Sequence, residues 1–433
     1  MRYTFYFLDI SLPLIVYFYF QSKRMKKLFE AFEKPNLSDW KTQLIKELKS
    51  ENTDDPTAFK NEIEELTFTD IYTANTKILN YEKPTTNDWK IGVEIQVSNE
   101  KTANQFALLQ LNLGANALNF DVTQLQNVQL PVLLAGIEIA YIYTYFTTKD
   151  EEQATLIRAW FSDKSPLFIQ VNSKQNTVNS YGVYAIGGNI KQSLAYALAK
   201  GKNLLAKDPN EPIHFTFGIG PNFLLEIAKF RAFQVLWNKI KTAYGATAKT
   251  YITAKTGFVN KSLQDPYTNL LRQTTEGLSA VLSGVDQLII QPYDLLATTG
   301  SSPFSERMAI NISLILKDEA EINQLVDPLE GSLILEKYTT TLANEAWKLF
   351  QIIEEQGGVN TSAAEAYLTT EIARVRSKSI QNILEKKQVL VGINNYLDPD
   401  LSNTTWREAE ETFMGINPLI LEKEFENRLS EKL

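Results

Sequence analysis

Two counts limit the chemistry open to this chain: it has one histidine, His214, and no cysteine. Without thiols there is no disulfide, thiolate nucleophile, iron–sulfur cluster or Cys-type zinc site. With a single imidazole, a Ser-His-Asp triad or a histidine-rich metal site would have to centre on His214. His214 lies in Pro212-Ile213-His214-Phe215-Thr216-Phe217, an alternating apolar run. That setting reads as a hydrogen-bonded barrel or interface histidine rather than a catalytic one.

Other chemical candidates are weaker. The acidic groups Glu62/Glu64/Glu65, Asp150/Glu151/Glu152 and Asp318/Glu319/Glu321 sit on polar stretches and read as solvated faces, with no partner that would make a paired-acid site. Gly182, Gly187-Gly188 and the Gly218-Ile219-Gly220-Pro221 turn before Asn222 come nearest to a phosphate loop. A helix start of this kind can receive an anion, but an ordinary strand-to-helix turn needs the same glycines. No G-x-G-x-x-G or Walker sequence follows a strand.

The elements that would position these residues follow from the patterning. At 433 residues, 44% apolar and 22% charged, with a net charge of −8, the chain has the composition of a globular protein and no basic footprint for nucleic acid. From Asp88 onward short apolar runs alternate with helical patterns, as in a parallel α/β sheet. Strand candidates are Ile91–Val97, Val132–Ile142, Phe168–Asn172, Ile213–Ile219, Tyr251–Ala254, Gln287–Ile290, Leu333–Glu336 and Val389–Ile393, the number that closes a barrel. Leu225, Ala228, Ala232, Val235 and Leu236 mark one helix face up to about Tyr244; Ser302-Pro303 caps another helix, and Thr339 opens a third that stops at Gly357-Gly358. The expected fold is a (β/α)8 TIM barrel over residues 87–400 with an N-terminal helical extension over 25–86 and a C-terminal helical tail over 401–433.

In the extension, Trp40, Leu44 and Leu48 form one stripe that needs an apolar partner, its own barrel or another chain. Upstream, Tyr3 to Phe20 is mostly aromatic and aliphatic and precedes Lys23, Arg24, Lys26 and Lys27. Asp9 and Pro13 interrupt a stretch of only about 18 residues, near the lower limit for a membrane span, and no small-residue cleavage site follows. Translation from Met25 gives an ordinary start, so residues 1–24 are expected to be absent from the working protein and the location cytoplasmic.

From Ile219 to Tyr396 several blocks occur in the order found in the methylmalonyl-CoA mutase family, which this stretch resembles. They are Asn222-Phe223-Leu224-Leu225-Glu226 through Arg231-Ala232, and Asn269 to Glu276, similar to N-x-x-R-T-T-x-E with Gln273 in place of Thr. Arg307-Met308-Ala309-Ile310-Asn311 and Asp327-Pro328-Leu329-Glu330-Gly331-Ser332 with Glu336 follow, then Trp347–Gly358 and Val391-Gly392-Ile393-Asn394. Arg272 and Glu276 stand one helical turn apart, a spacing at which they can pair.

The resemblance implies an adenosylcobalamin-dependent isomerisation of methylmalonyl-CoA and succinyl-CoA, and it also implies that this chain does not perform it. Counting from Arg272 puts Ile289, Ile290 and Gln291 where catalytic chains of the family carry His-Thr-Asn, with Asp294 at the following Asp. Trp89 to Ile95 lacks the family's Arg-Gln-Tyr-Ala-Gly, and residues 397–433 hold no histidine for a D-x-H-x-x-G cobalamin loop. The expectation is a non-catalytic small subunit with no catalytic, cofactor or metal residues of its own and no cobalamin domain. It would stabilise a catalytic large subunit that carries the adenosylcobalamin, with no nucleic-acid or membrane partner. An independent acyl-CoA-binding or scaffold barrel is the alternative. Leu133, Leu134, Ile137, Ile139, Tyr141, Ile289 and Ile290 are expected to fill the channel that admits acyl-CoA in catalytic chains.

Overall fold

The computed structural model describes residues 36–48, 59–68, 86–164, 168–172, 176–398, 405–407 and 412–430. The predicted leader, residues 1–24, lies outside them. The chain forms two compact units, Met1–Phe59 and Lys60–Leu433. In the first, helix α1 (Leu37–Leu48) starts where the Asn36 side chain accepts from the backbone N–H of Asp39 at 3.0 Å, a local N-cap. Trp40 and Ile45 are exposed on it.

A short hairpin of β1 (Phe59–Asn61) and β2 (Leu66–Phe68) leads into the second unit. The barrel strands are β3 (Lys90–Gln96), β4 (Ala117–Asp121), β5 (Tyr143–Thr147), β6 (Phe168–Asn172), β7 (Thr177–Asn179), β8 (Ile213–Ile219), β9 (Thr250–Thr256) and β10 (Gln287–Ile289). Their order is β6-β5-β4-β3-β10-β9-β8-β7, and every pairing is parallel. Strands follow chain order, the β10–β3 pairing joins the last strand to the first, and β6 and β7 stand at the two ends of the curled sheet. This is the (β/α)8 arrangement the alternation predicts.

The helices are α2 (Glu100–Asn112), α3 (Leu130–Leu133), α4 (Glu151–Phe161), α5 (Tyr181–Ala185), α6 (Ile190–Lys207), α7 (Phe223–Ala243), α8 (Thr268–Leu282), α9 (Pro303–Leu314), α10 (Leu333–Glu355), α11 (Ser362–Leu384) and α12 (Leu421–Ser430). Local chemistry sets several ends. Asn189/Gln192 and Ser302/Ser305 form capping boxes at α6 and α9, and Asn222 caps α7. Gly357 and Gly358, at φ of +93° and +88°, take the left-handed conformation that stops α10. The main core lies between β8 and the helices, where Phe215 and Phe217 meet Phe233 edge-on with centroids 4.8 and 4.9 Å apart.

Three strand expectations are corrected. Leu333–Glu336 is the first turn of α10, a helix that begins before Thr339 and whose apolar spacing runs on to Ile353. Val389–Ile393 is a turn with Gly392 at φ +75°. Val132–Ile142 is not a strand either: Leu130, Leu133, Leu134 and Ile137 turn inward onto Ile95, Phe120 and Phe146 outside the sheet. The strands on either side, β4 and β5, escape an apolar search because alternate positions are polar: Asn119, Asp121, Tyr143, Tyr145 and Thr147.

Candidate functional site

The place where a barrel of this kind does chemistry is its lumen, at the C-terminal ends of the strands. Phe215 and Phe217 face the helices, so the alternate residues of β8, His214, Thr216 and Gly218, face inward. Strand register carries that face onward to Tyr251, Thr253 and Lys255, then to Gln287 and Ile289, then to Lys90, Gly92 and Glu94. Along these four strands the inward side chains are polar apart from Ile289, which is 4% exposed.

Its side chains are committed to each other. Thr253 donates to Gln287 Oε1 at 2.8 Å and lies 2.7 Å from His214 Nε2. With the threonine proton committed to Gln287, the imidazole is the donor in the second bond. Burial pushes His214 down to about 4, so the ring is neutral at neutral pH. This matches the hydrogen-bonded barrel histidine expected from sequence. Gln287 in turn lies over Gly92, where an added Cβ would stand 2.6 Å from its Nε2. Toward the mouth, Lys255 pairs with Glu94 at 2.5 Å and sits 4.5 Å above the Tyr181 ring, while Gln291 donates to the same carboxylate at 2.9 Å.

The mouth is closed by a residue that the sequence patterning does not single out. Tyr184, on α5, packs against the ends of β8 and β9. A Cβ at either Gly218 or Gly257 would stand 2.3 Å from its ring. Gly218 is thus a strand residue that seats an aromatic ring, and not part of a phosphate turn. The Tyr184 hydroxyl is buried without a hydrogen-bond partner among the described residues, and burial raises its pKa well above 10.0. The C-terminal segment holds α5 down: Phe413 occupies the space beside Gly182, and Leu419 donates its N–H to the Ala185 carbonyl at 2.7 Å.

Charged pairs wrap this end. Lys261 bonds both oxygens of Glu276 at 2.8 Å and Asn260 at 2.7 Å, all three buried. The expected Arg272–Glu276 pair does not form; Arg272 donates instead to Asn269 and to the Val391 carbonyl. Lys229 bonds Glu226 and the Gly218 carbonyl. From the hairpin, Glu64 accepts the Ile190 N–H at 2.7 Å, and burial pushes it up to about 7; Glu65 pairs with Lys191 and Arg374. Glu64 and Glu65 are thus not the solvated face expected.

The bulky plug is also placed differently from expectation. Leu133, Leu134 and Ile137 belong to the outer core, and Tyr141 is exposed. Ile290 points outward, 3.2 Å from where a Cβ would stand on Gly277 of α8, which leaves Ile289 as the lumen isoleucine. A cavity of about 80 Å³ beside Ile289 is bordered by Gly92, Glu94, Gln110 and Glu306. Ligand pockets run to about 300–1,000 Å³. Among the described residues no group of three or more His, Asp or Glu is arranged to hold a metal ion, and no helix is long and apolar enough to cross a membrane.

Fold and lumen together define a (β/α)8 protein whose interior is closed by its own side chains. Residues 141–414 match the family model described as methylmalonyl-CoA mutase, and the chain belongs to that family. It is 31% identical over 367 residues to the methylmalonyl-CoA mutase small subunit of Porphyromonas gingivalis, covering 72% of this chain and 59% of that protein. It is 32% identical over 255 residues to the methylmalonyl-CoA mutase of Cereibacter sphaeroides, 54% of this chain and 36% of that one, and 31% identical over 254 residues to the Escherichia coli mutase, 55% and 35%. The chain thus spans less than two thirds of these relatives. Among solved structures, dihydropteroate synthase of Thermus thermophilus aligns with a TM-score of 0.27 at 11% identity over 55% of this chain and 99% of that one, too distant to bear on fold or function.

Proposed function

We propose that the chain is the non-catalytic small subunit of an adenosylcobalamin-dependent methylmalonyl-CoA mutase, and that it stabilises a catalytic large subunit. The observation that carries this reading is the lumen at Ile289. The resemblance sets a substrate-bonding histidine at this position, and here an aliphatic side chain faces a closed interior. An isoleucine can neither donate a hydrogen bond to a thioester nor stabilise developing charge.

The residues of this chain do not fit the cofactor the family implies. In the family a histidine binds cobalt from below; His214, the sole histidine, is built into the lumen wall with Nε2 on Thr253. The cofactor therefore belongs to the large subunit in this reading. The filled lumen also disfavours the alternative of an independent acyl-CoA-binding barrel, since Tyr184 packs against Gly218 and Gly257 at the ends of β8 and β9.

The test is co-expression with the mutase chain that carries D-x-H-x-x-G in the same genome. Co-purification at one to one, with turnover lost when the large chain alone is mutated, is the expected result. Turnover or tight cobalamin binding by this chain alone would overturn the reading.

A further inference from the structure

Outside the lumen, a cleft of about 380 Å³ opens at the C-terminal face, between the loops after β9 and β10. Its walls include Tyr267 and Tyr293, whose ring centroids are 5.5 Å apart. Three carboxylates line it, Asp265, Asp294 and Asp398, and no lysine or arginine does. The Asp294 Oδ1 is shielded from solvent without a hydrogen-bond partner among the described residues, while its Oδ2 accepts the Ser302 N–H at 3.3 Å. Arg272, which feels the Asp265 charge, donates its hydrogen bonds to Asn269 and Val391 instead.

Beside the cleft the surface is apolar. Tyr267 and Leu271, one turn apart at the start of α8, are 64% and 70% exposed; Tyr396 and Leu397 are 74% and 60% exposed. The latter two stand on an ordered turn that packs on the cleft, since a Cβ at Gly392 would lie 2.4 Å from Asp265 Oδ2. Tyr396 holds a φ of +52°, a backbone conformation that costs on the order of 1 kcal/mol or more and here presents an aromatic ring to solvent. Large apolar side chains exposed on two elements beside one cleft are what an interaction site presents.

We infer that this cleft and its flank are a docking surface for a protein partner that inserts an arginine or lysine set among apolar side chains. The two tyrosine faces offer cation–π contact, the aspartates offer charge pairing, and the Tyr267/Leu271/Tyr396/Leu397 flank covers apolar neighbours of the inserted cation. The inference stands on the cleft alone and does not depend on the subunit role proposed above.

The test uses the full chain and a fluorescent hexapeptide of three leucines, a tyrosine and two arginines, beside the same peptide with citrulline for arginine. Citrulline keeps size and loses charge. The arginine peptide is expected to bind about tenfold or more tightly than the citrulline one, in a salt-sensitive manner. Asp265→Asn/Asp294→Asn should erase that preference, and the surface variant Tyr267→Ala/Leu271→Ser should weaken both peptides while melting like the parent. Equal binding of the two peptides, no binding of either, or an undiminished preference in the Asn variant overturns the inference.

Discussion

Arg231 of α7 donates to the carboxylate of Glu336 on α10 at 3.1 Å, and its other nitrogen bonds Asp327. All three side chains are nearly inaccessible, at 2%, 4% and 7%. Three residues from the sequence blocks that carry the family resemblance thus meet in one buried ion triad. They tie the loop before α10 to the helix after β8, on the outside of the barrel and away from the lumen.

Arg231→Met should therefore remove the guanidinium that these two buried carboxylates share and cost about 3–5 kcal/mol, the usual cost of breaking a buried pair from one side. Urea unfolding followed by circular dichroism reads it. A loss under 1 kcal/mol would mean that water reaches Asp327 and Glu336 once the guanidinium is gone.

The seat of Tyr184 gives a second test. Gly218→Ala places a methyl 2.3 Å from the ring, so the ring or its helix must move, costing about 1–3 kcal/mol as overpacking does. Tyr184→Ala removes the ring that the methyl meets. The double variant should then be more stable than the sum of the two single effects by about 1 kcal/mol or more. Strict additivity in thermal unfolding would show that the glycine is needed for some other reason.

How much of this is legible in the sequence divides along a physical line. β3, β6, β8, β9 and β10 are readable because at least one face is apolar and turn residues bound them. β4 and β5 are not, since a lumen-facing strand of a polar barrel alternates Asn, Asp, Tyr and Thr with its apolar positions. His214 is readable as a structural residue from its flanking Ile213 and Phe215. Tyr184 gives no signal: a tyrosine on a five-residue helix becomes a stopper only because Gly218 and Gly257, far apart in the chain, come together beneath its ring at the ends of β8 and β9. Partner choice is equally invisible, as Glu276 prefers Lys261 from a loop over Arg272 on its own helix.

Stability should also fall with rising pH, and besides Glu64 a second buried carboxyl contributes to this. Glu422, at the start of α12, is 2% exposed, accepts the Leu263 N–H at 2.5 Å and bonds Ser262. Burial pushes its carboxyl up from 4.5 to about 7. The folded chain therefore holds this proton more tightly than the unfolded chain. Its contribution is complete below about 4.5 and is lost as pH rises through 7. By linkage that amounts to on the order of 3 kcal/mol between pH 4.5 and 8. Glu422→Gln should flatten this slope relative to the parent in urea titrations across that range. An unchanged slope would assign the effect to other carboxylates.

The last prediction concerns where the barrel unit begins. Residues 25–86 read from sequence as one extension, yet the hairpin within them is built into the second unit. Phe68 is fully buried with its ring 4.2 Å from Tyr338, and Leu66 is 2% exposed in the main core. The hairpin tip is pinned as well: Asn189 donates to the Ile63 carbonyl at 3.1 Å, and Glu64 caps the first turn of α6. Burying one such aromatic or aliphatic side chain is worth about 1.5–3 kcal/mol, so loss of both costs on the order of 3–6 kcal/mol, comparable to the whole stability of many domains. A chain starting at residue 59 should fold with a cooperative melt close to that of the parent. A chain starting at residue 87 should melt much lower or fail to fold, because Tyr338 and the start of α6 lose their cover. If the proposed subunit role holds, the chain from residue 59 also separates docking from folding: it should be folded and yet bind the large subunit more weakly, since α1 with its exposed Trp40 is gone. Equal stability of the two truncated chains would show that the hairpin's contacts are replaced by solvent at little cost.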